Sequence, residues 1–367
     1  MKTNIFLLLC LMLVNVNILG QSRYVFVGTY TAKGSEGVYV YRFDAKTGAL
    51  SPVSIAKDLK NPAFLTISPN GKFVYVVEEV SAGKVSAFSF DEKTGKLLLL
   101  NTQSVNGDSP CHIDIDQTGK WVLVGNYGSG NLTILPVQAD GSLGQATQTI
   151  QHEGQSINPQ RQEKPHVHSV NIAKNNRDVF VPDLGIDQIK TYQLNAQTGK
   201  LTPGNPPFVA VEPGAGPRHF AFHPNQKFAY AILELSASVV AYRYEQGKLT
   251  PIQTIGTLPS DYQGPKSCAD IHVSSDGKFL YGSNRGHNSI VVYQINPQTG
   301  MLTLVQHQST LGKTPRNFAI DPSGQFLLVG NQDSDNIQVF KRNKKTGQLT
   351  PTKQEAKVSM PICIKFR

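Results

Sequence analysis

The feature that most restricts the fold of this sequence is a short segment, Gly-x-Leu usually preceded by Thr, which recurs seven times in 367 residues. The copies TGAL, TGKL, DGSL, TGKL, QGKL, TGML and TGQL begin at positions 47, 94, 140, 198, 246, 299 and 346, at spacings of 46 to 58 residues. A second turn motif precedes most copies, as in SPNGKFVYVV and DPSGQFLLVG. Each unit therefore predicts four short strands separated by turns. Four strands in each repeat of about 40 to 50 residues are typical of a β-propeller blade.

The two ends of the chain each resemble half of one repeat unit. The segment PICIKFR at 361–367 resembles a first strand that has no second strand after it, and YVFVGTY at 24–30 resembles a second strand without a first. Pairing the two halves in one blade would close the ring and remove an open sheet edge. The sequence thus predicts an all-β domain over residues 21–367, a seven-bladed β-propeller with four antiparallel strands per blade.

Residues 1–20 have the pattern of a secretory signal peptide. Lys2 precedes the apolar run IFLLLCLMLV, and a small residue, Gly20, ends the segment. The run is shorter than the roughly 18 apolar residues that a membrane span needs. We therefore predict export to the periplasm or the medium, with no stable membrane insertion after the signal is removed. A mature N-terminus near Gln21 would confirm this.

Charge and cysteine content exclude several classes of protein. The chain has 35 Lys and Arg against 26 Asp and Glu, but the lysines are scattered and no basic run alternates with aromatic residues. Nucleic acid is therefore not a predicted partner, whereas a small anionic substrate fits the positive balance. Without Cys10 of the predicted signal, the chain keeps Cys111, Cys268 and Cys363, an odd set without metal-ligand spacing, so neither a disulfide framework nor a structural zinc site is indicated. The sequence indicates no oligomeric state.

Alignment of the units on their Asn/Asp-Gly turns predicts which residues meet at one mouth of the central channel. Innermost strands start at this mouth, and second strands end there. The starts supply Ala63, Cys111, His168, Arg218, Ala269, Arg316 and Ile362. The neighbouring positions are Phe64, His112, Ser169, His219, Asp270, Asn317 and Cys363. The ends supply Tyr30, Glu79, Tyr127, Leu184, Glu234, Arg285 and Gln332. Such a set is too polar for ordinary core, because buried charges must be paired or used.

The motif KPHVHSV supplies two histidines to this mouth. Residues i and i+2 of an extended chain point the same way, so His166 and His168 share a face. The longest repeat spacing places an insertion, HEGQSINPQRQEK, just before them, and we expect it to cover the mouth. The predicted catalytic residues are His168, His166, Arg218, Glu234 and Arg285. The predicted substrate-binding residues are Arg316, Arg161, Glu79, Tyr127 and Gln332.

These residue types suit hydrolysis or formation of an ester bond in an anionic substrate. A histidine can take a proton from water, and arginines can bind an anion and stabilise an oxyanion. Other interpretations remain open. The histidines could be satisfied by backbone carbonyls, or could bind a divalent metal with Glu234 or Asp183, although no spacing demands one and no cofactor is predicted. Arg218 and Arg316 could form salt bridges between blades, and Arg285 could simply pair with Glu234.

Several longer motifs resemble one known family. They are GTYT, NPQRQEKPHVHSV, PDLGIDQI, GPRHFAFHPN with LEL, NRGHNSI and TPRNFAIDPSGQFLLVGNQDSDNI. Across residues 23–367 the chain resembles the seven-bladed propeller lactonases, which include propeller-type 6-phosphogluconolactonases and carboxy-muconate lactonizing enzymes. The resemblance implies a lactonase or lactone-forming fold, with a lactonase of carbohydrate metabolism as the predicted activity. It also implies a site built from His166, His168, Arg218, Glu234 and Arg285.

The sequence and the resemblance together predict a hydrolase that opens a sugar-acid or related anionic lactone by attack of water at the channel mouth. The predicted export departs from a cytosolic 6-phosphogluconolactonase, so the lactone class is predicted ahead of any named phosphorylated substrate. Two alternatives are a lactone-forming cycloisomerase and an exported propeller that binds a ligand without catalysis, because fold alone does not establish activity.

Overall fold

The computed structural model describes residues 23–367, and within that range the chain forms 28 β-strands and three short 3-10 turns. In chain order the strands are β1 (Arg23–Thr29), β2 (Gly37–Phe43), β3 (Leu50–Lys57), β4 (Pro62–Ile67), β5 (Phe73–Glu78), β6 (Lys84–Asp91), β7 (Lys96–Ser104), β8 (Pro110–Ile115), β9 (Trp121–Asn126), β10 (Asn131–Pro136), β11 (Gln148–Gln151), β12 (Asn171–Ile172), β13 (Asp178–Asp183), β14 (Gln188–Leu194), β15 (Leu201–Ala210), β16 (Pro217–Phe222), β17 (Phe228–Leu233), β18 (Ser238–Glu245), β19 (Lys248–Gly256), β20 (Cys268–Val273), β21 (Phe279–Asn284), β22 (Ser289–Ile295), β23 (Leu302–Ser309), β24 (Pro315–Ile320), β25 (Phe326–Asn331), β26 (Asn336–Arg342), β27 (Leu349–Lys357) and β28 (Pro361–Phe366). The turns are Ala32–Gly34, Leu184–Ile186 and Gln332–Ser334.

The strands of residues 23–367 form seven antiparallel four-stranded sheets. Six sheets follow chain order, and the seventh has the order β28-β1-β2-β3, with Val27 opposite Ile364. Neighbouring sheets touch in turn, from β28 to β4 and onward to β24, which returns to β28. The contacts join inner strands, except that β16 meets β13 rather than β12. The seven-bladed propeller and its closure by the two chain ends are therefore confirmed.

The local structure of each blade requires the glycine of the repeat. In every copy it has a positive φ, at the turn between the two outer strands of its blade. Each turn packs on the previous blade around the ring. Six of the seven meet the residue that begins the second strand there, and the Gly95 turn meets Tyr24, the second residue of β1, and Val53. A Cβ on Gly141 would overlap the ring of Phe73, and one on Gly199 would overlap Trp121. The repeat therefore marks contacts between blades as well as turns.

Apolar side chains fill the space between adjacent sheets. Phe180 of β13 stacks on Phe220 of β16 at 5.4 Å between ring centroids, for example, and both are buried. Within residues 23–367 the three cysteines are unpaired and buried. No helix in this range is long and apolar enough to cross a bilayer. The predicted signal peptide, residues 1–20, lies outside the described residues, so export stays a prediction.

Candidate active site

A β-bulge near the start of the innermost strands places the mouth residues. The pairing of β16 with β17 shifts register between Pro217 and His219, which leaves Arg218 as the extra residue. The same shift leaves Cys111 and Arg316 as extra residues in β8 and β24. His168 lies at the corresponding shift, between the Val167–Asp183 bridge and the Asn171–Phe180 pair. Bulges re-aim side chains and occur beside active sites. The positions aligned from sequence therefore coincide with these irregularities.

Glu234, immediately after β17, lies at the centre of the site. Its Oε1 accepts a hydrogen bond from Arg161 Nη2 at 2.7 Å. Its Oε2 lies 3.0 Å from Arg218 Nε and 2.8 Å from Arg285 Nη2. Burial alone would raise the pKa of Glu234, but the positive charges of Arg285, Arg218 and Arg161 outweigh it and lower the pKa to about 2. Glu234 is therefore ionised at neutral pH. We call these four residues the Glu234 cluster.

Arg218 is held from behind by a chain of buried polar groups. Its Nη1 donates to the Ala269 carbonyl at 2.6 Å and to His219 Nε2 at 3.2 Å. The opposite nitrogen of that ring, Nδ1, donates to Asp270 Oδ1 at 2.8 Å. Burial and the positive charge of Arg218 lower the pKa of His219 to about 4, which keeps its ring neutral and able to accept from Arg218. The sequence placed His219 and Asp270 at the mouth but gave them no role.

Burial of Arg218 is electrostatically costly. Only 2% of its side chain is exposed. Burial, then the positive charges of Arg285 and Arg316, lower its pKa to about 10, despite the opposing carboxylates of Glu234 and Asp270. Within residues 23–367, Arg218 Nε has no hydrogen bond of good geometry, although Glu234 Oε2 is 3.0 Å away. Arg285 Nε also lacks a hydrogen-bond partner in this range. The mouth thus has a local excess of positive charge, which favours an anion.

His168 is a neutral base candidate within reach of Glu234. Its Nε2 lies 4.0 Å from Glu234 Oε2, and its Nδ1 lies 3.6 Å from Cys111 Sγ. Burial, followed by the positive charge of Arg218, lowers the pKa of His168 well below its usual range. Its imidazole therefore carries a free electron pair at pH 7. Burial raises the pKa of the Cys111 thiol, so that residue stays protonated.

His166 is fixed by different contacts. Its ring stacks on Tyr127 with centroids 4.3 Å apart, and its Nδ1 donates to the Tyr127 carbonyl at 2.9 Å. Its Nε2 lies 3.4 Å from Glu163 Oε2, on the insertion. Its backbone N–H donates to Asp183 Oδ1 at 2.7 Å. His166 therefore faces the insertion, whereas His168 faces the Glu234 cluster.

Asp183 and Asp187 are bound in structural networks. Asp183 Oδ2 accepts from His152 Nδ1 at 2.7 Å, and His152 Nε2 pairs with the Tyr192 hydroxyl at 2.9 Å. Asp187 accepts from two backbone N–H groups of the loop before β16, Gly214 and Gly216. These contacts fix the start of the insertion and the histidine motif.

A second polar group, which we call the Glu79 group, contains Tyr30, Glu79 and Arg316. The Tyr30 hydroxyl donates to Glu79 Oε2 at 2.8 Å. Arg316 Nη2 is 3.9 Å from the same oxygen, and its guanidinium lies over the Tyr30 ring. Burial raises the pKa of Glu79 despite the opposing charge of Arg316. Gln332 joins neither group, since its amide nitrogen donates to Asp333 and its oxygen has no described partner.

The structure thus places Arg161, Arg218, Glu234 and Arg285 in one cluster, with His168 beside it, and Glu79 and Arg316 in a second group. His166 and Tyr127 stack on each other beside the insertion, and Gln332 joins neither group. Residues 23–367 contain no cluster of three or more His, Cys, Asp or Glu arranged to hold a metal ion. The two further ligands considered from sequence are engaged elsewhere, Glu234 with guanidinium groups and Asp183 with His152. The pairing of Arg285 with Glu234, one of the alternatives, is observed at 2.8 Å.

Comparison with known proteins agrees with this description. A family model described as "Lactonase, 7-bladed beta-propeller" matches residues 24–366. The 6-phosphogluconolactonase of Bacillus subtilis strain 168 is 40% identical over 350 residues, covering 94% of this chain and 99% of that protein. That of Formosa agariphila is 41% identical over 306 residues, covering 82% and 86%. The solved structure of a periplasmic gluconolactonase from Pseudomonas aeruginosa has a TM-score of 0.90 at 35% identity, covering 94% and 99%.

The fold and the mouth define a seven-bladed propeller with a buried, arginine-rich polar site at one end of its channel. The family model and the curated relatives then identify the family. The chain belongs to the seven-bladed β-propeller lactonases.

Proposed function

We propose that this protein is a lactonase that hydrolyses an anionic sugar-acid lactone at the mouth formed by the Glu234 cluster and His168. One observation carries the proposal: a neutral buried histidine stands 4.0 Å from a carboxylate that binds three guanidinium groups. The named activity of the relatives, 6-phosphogluconolactonase, supports the substrate class.

In the proposed reaction, His168 takes a proton from water as the water oxygen attacks the lactone carbonyl carbon. Negative charge then develops on the carbonyl oxygen. Arg218 and Arg285 stabilise this charge. Their attraction to the carbonyl oxygen grows as the charge forms, and it is strong because the cations are already fixed in a site with little water. His219 and Asp270 keep Arg218 in place for this step. His166 is the second candidate base.

Glu234 has a positioning role in this proposal. A carboxyl group at this place could either orient neighbouring groups or donate a proton to the leaving oxygen. With a pKa of about 2, Glu234 holds no proton near neutral pH. It instead holds Arg161, Arg218 and Arg285 in one arrangement, as a carboxylate can when several donors converge on it.

The anionic part of the substrate would bind at the outer arginines. Arg161, on the insertion, has 40% of its side chain exposed, and Arg316 has 17% exposed, whereas Arg218 is almost fully buried. Guanidinium groups bind carboxylate and phosphate in a forked geometry. We also propose that the mature chain acts outside the cytoplasm; the Pseudomonas aeruginosa relative, a periplasmic gluconolactonase, supports this location.

A lactone panel tests the function. Purified chain starting at Gln21 should release acid from glucono-1,5-lactone and from its 6-phosphate faster than a protein-free blank, with kcat/KM higher for the phosphate. The excess should survive EDTA. Turnover that EDTA abolishes and a divalent ion restores would contradict the histidine and arginine mechanism. No excess on any lactone would contradict the function and favour a binding propeller.

The pH profile tests the assignment of His168 as the base. Because the pKa of His168 lies well below 6.5, kcat/KM for glucono-1,5-lactone should stay constant from pH 7 through 6.5 and fall only at lower pH. The uncharged lactone is the appropriate substrate, since a phosphate titrates near pH 6 itself. A decline centred near pH 6.5 would show that His168 is not the base.

A further inference from the structure

The mouth contains two carboxyl groups at equivalent places in different blades. Glu79 immediately follows β5, and Glu234 immediately follows β17. Their surroundings differ. Glu234 has guanidinium nitrogens of three arginines within 3.0 Å. Glu79 accepts a hydrogen bond from one neutral donor, Tyr30, and its nearest guanidinium nitrogen is 3.9 Å away. A carboxyl group with so little cationic contact can hold a proton that Glu234 cannot.

We propose that Glu79 is the general acid of the lactonase reaction, giving its proton to the ring oxygen that leaves the carbonyl carbon. This inference rests on the proposed function. Sequence reasoning assigned Glu79 to substrate binding. The assignment changes because contrasting surroundings keep one carboxyl group ionised and let the other hold a proton. Glu234 is the ionised group that positions the arginines, which leaves Glu79 as the carboxyl group able to donate a proton.

Water adds to the carbonyl carbon while His168 takes one of its protons. The bond from the carbonyl carbon to the ring oxygen breaks, its electron pair stays on that oxygen, and the Glu79 proton moves to it to form an alcohol. The proton on His168 then returns to Glu79 through solvent. The net change is one water consumed and one hydroxy acid formed.

The groups facing Glu79 come from several elements. Tyr30 follows β1, Arg316 lies on β24, Arg218 on β16 and Cys111 on β8. Burial raises the pKa of Glu79, and Arg316, Tyr30 and Arg218 oppose that rise without cancelling it. Tyr30 binds Oε2, which leaves Oε1 as the oxygen that carries the proton. With 17% of the side chain exposed, Glu79 is reachable from the mouth.

The backbone of Glu79 is held rigidly enough for this role. Its N–H donates to the Asn61 carbonyl at 2.9 Å, and the Asn61 side-chain amide donates to the Glu79 carbonyl at 3.3 Å. The preceding residue provides a matched control. Glu78 accepts from Lys60 N at 2.9 Å and from Ser86 Oγ at 3.1 Å, so it faces other partners.

The test compares wild type, Glu79→Gln and Glu78→Gln on glucono-1,5-lactone across pH. We expect Glu79→Gln to lower kcat about 100-fold with little change in KM, and to abolish the decline of kcat at high pH. Tyr30→Phe should move that decline to higher pH, because Tyr30 stabilises the ionised form of Glu79. Glu78→Gln should retain the wild-type profile. A Glu79→Gln variant with kcat within about threefold of wild type and the same alkaline decline would overturn the proposal.

A second measurement does not depend on turnover. The infrared spectrum of the folded wild type at pH 7 should contain the carbonyl stretch of a protonated carboxyl group that Glu79→Gln lacks. Identical spectra in this region would overturn the proposal even if the variant were inactive. Wild-type protein without turnover on any lactone would overturn the proposed function and the donor role with it. Wild-type turnover with an unaffected Glu79→Gln variant would overturn the donor role alone.

Discussion

Glu234→Gln should lower the free energy of unfolding by about 3 to 5 kcal/mol, the range for removing one partner of a buried ion pair. The amide would leave Arg161, Arg218 and Arg285 without the carboxylate they share. The pKa of Glu234 gives a consistent figure. A fall from 4.5 to about 2, at about 1.4 kcal/mol per unit, corresponds to about 3 kcal/mol. Urea unfolding at pH 7 measures the difference.

The stability difference between wild type and Glu234→Gln should change with pH in a direction that a loss of packing alone would not produce. A carboxyl group whose folded pKa is depressed stabilises the fold above its unfolded pKa, and this contribution is lost as pH falls through the folded value. The wild type should therefore lose its advantage over Glu234→Gln between about pH 4.5 and pH 2. Glu36→Gln, which removes an exposed partner of Lys57, is the control and should cost less than about 1 kcal/mol. Equal stability of wild type and Glu234→Gln at pH 7 would contradict the electrostatic description of the cluster.

The propeller could be predicted from sequence because its repeat records a local steric requirement. A turn that packs against the previous blade needs glycine, and the same turn recurs in each blade, so the period is visible in one chain. The closing blade was predictable for a similar reason. PICIKFR and YVFVGTY each lack a partner within their own unit, and an unpaired sheet edge is unfavourable.

Positions at the mouth were predictable, but partners were not. Alignment on the turns locates Arg218 and Glu234, since both places are set by blade geometry. Which guanidinium reaches which carboxylate depends on side-chain conformations across several blades, and sequence spacing contains no information on them. Gln332 shows the limit of the alignment. It occupies the aligned position at the end of a second strand, and yet its side chain donates a hydrogen bond to the neighbouring Asp333. His219 had a signal, its place beside Arg218 in GPRH, but its partner Asp270 lies in the next blade.

The insertion shows that a departure from the period can also be informative. Its length predicted a segment over the mouth, and Arg161 from it does reach Glu234. Lys164, the last residue of the insertion, instead donates to the Gly128 carbonyl. The sequence could not reveal that Asp183 and His152 anchor the segment, because these two residues are 31 positions apart.

Arg218→Met should lower kcat/KM on the best lactone of the panel by about 100- to 1000-fold, the usual effect of removing one donor to a developing oxyanion. The loss should appear mainly in kcat, because the negative charge that Arg218 stabilises develops on the carbonyl oxygen only in the transition state. Its effect on stability should be smaller than that of Glu234→Gln. Arg161 and Arg285 would still neutralise Glu234, and the depressed pKa of Arg218 shows that its surroundings disfavour its charge.

Arg342→Met provides the matched control for this change. Arg342 is also buried and paired, with Asp276 at 3.2 Å and Tyr281 at 2.7 Å, but none of its partners belongs to the Glu234 cluster or the Glu79 group. Its substitution should destabilise the fold and leave kcat/KM within a few-fold of wild type. If Arg218→Met kept kcat/KM within a few-fold, or if Arg342→Met lost as much activity, the oxyanion role of Arg218 would be wrong. Retained activity in Arg218→Met together with loss in Arg285→Met would instead place the oxyanion against Arg285, which contacts the same Glu234 oxygen from the neighbouring blade.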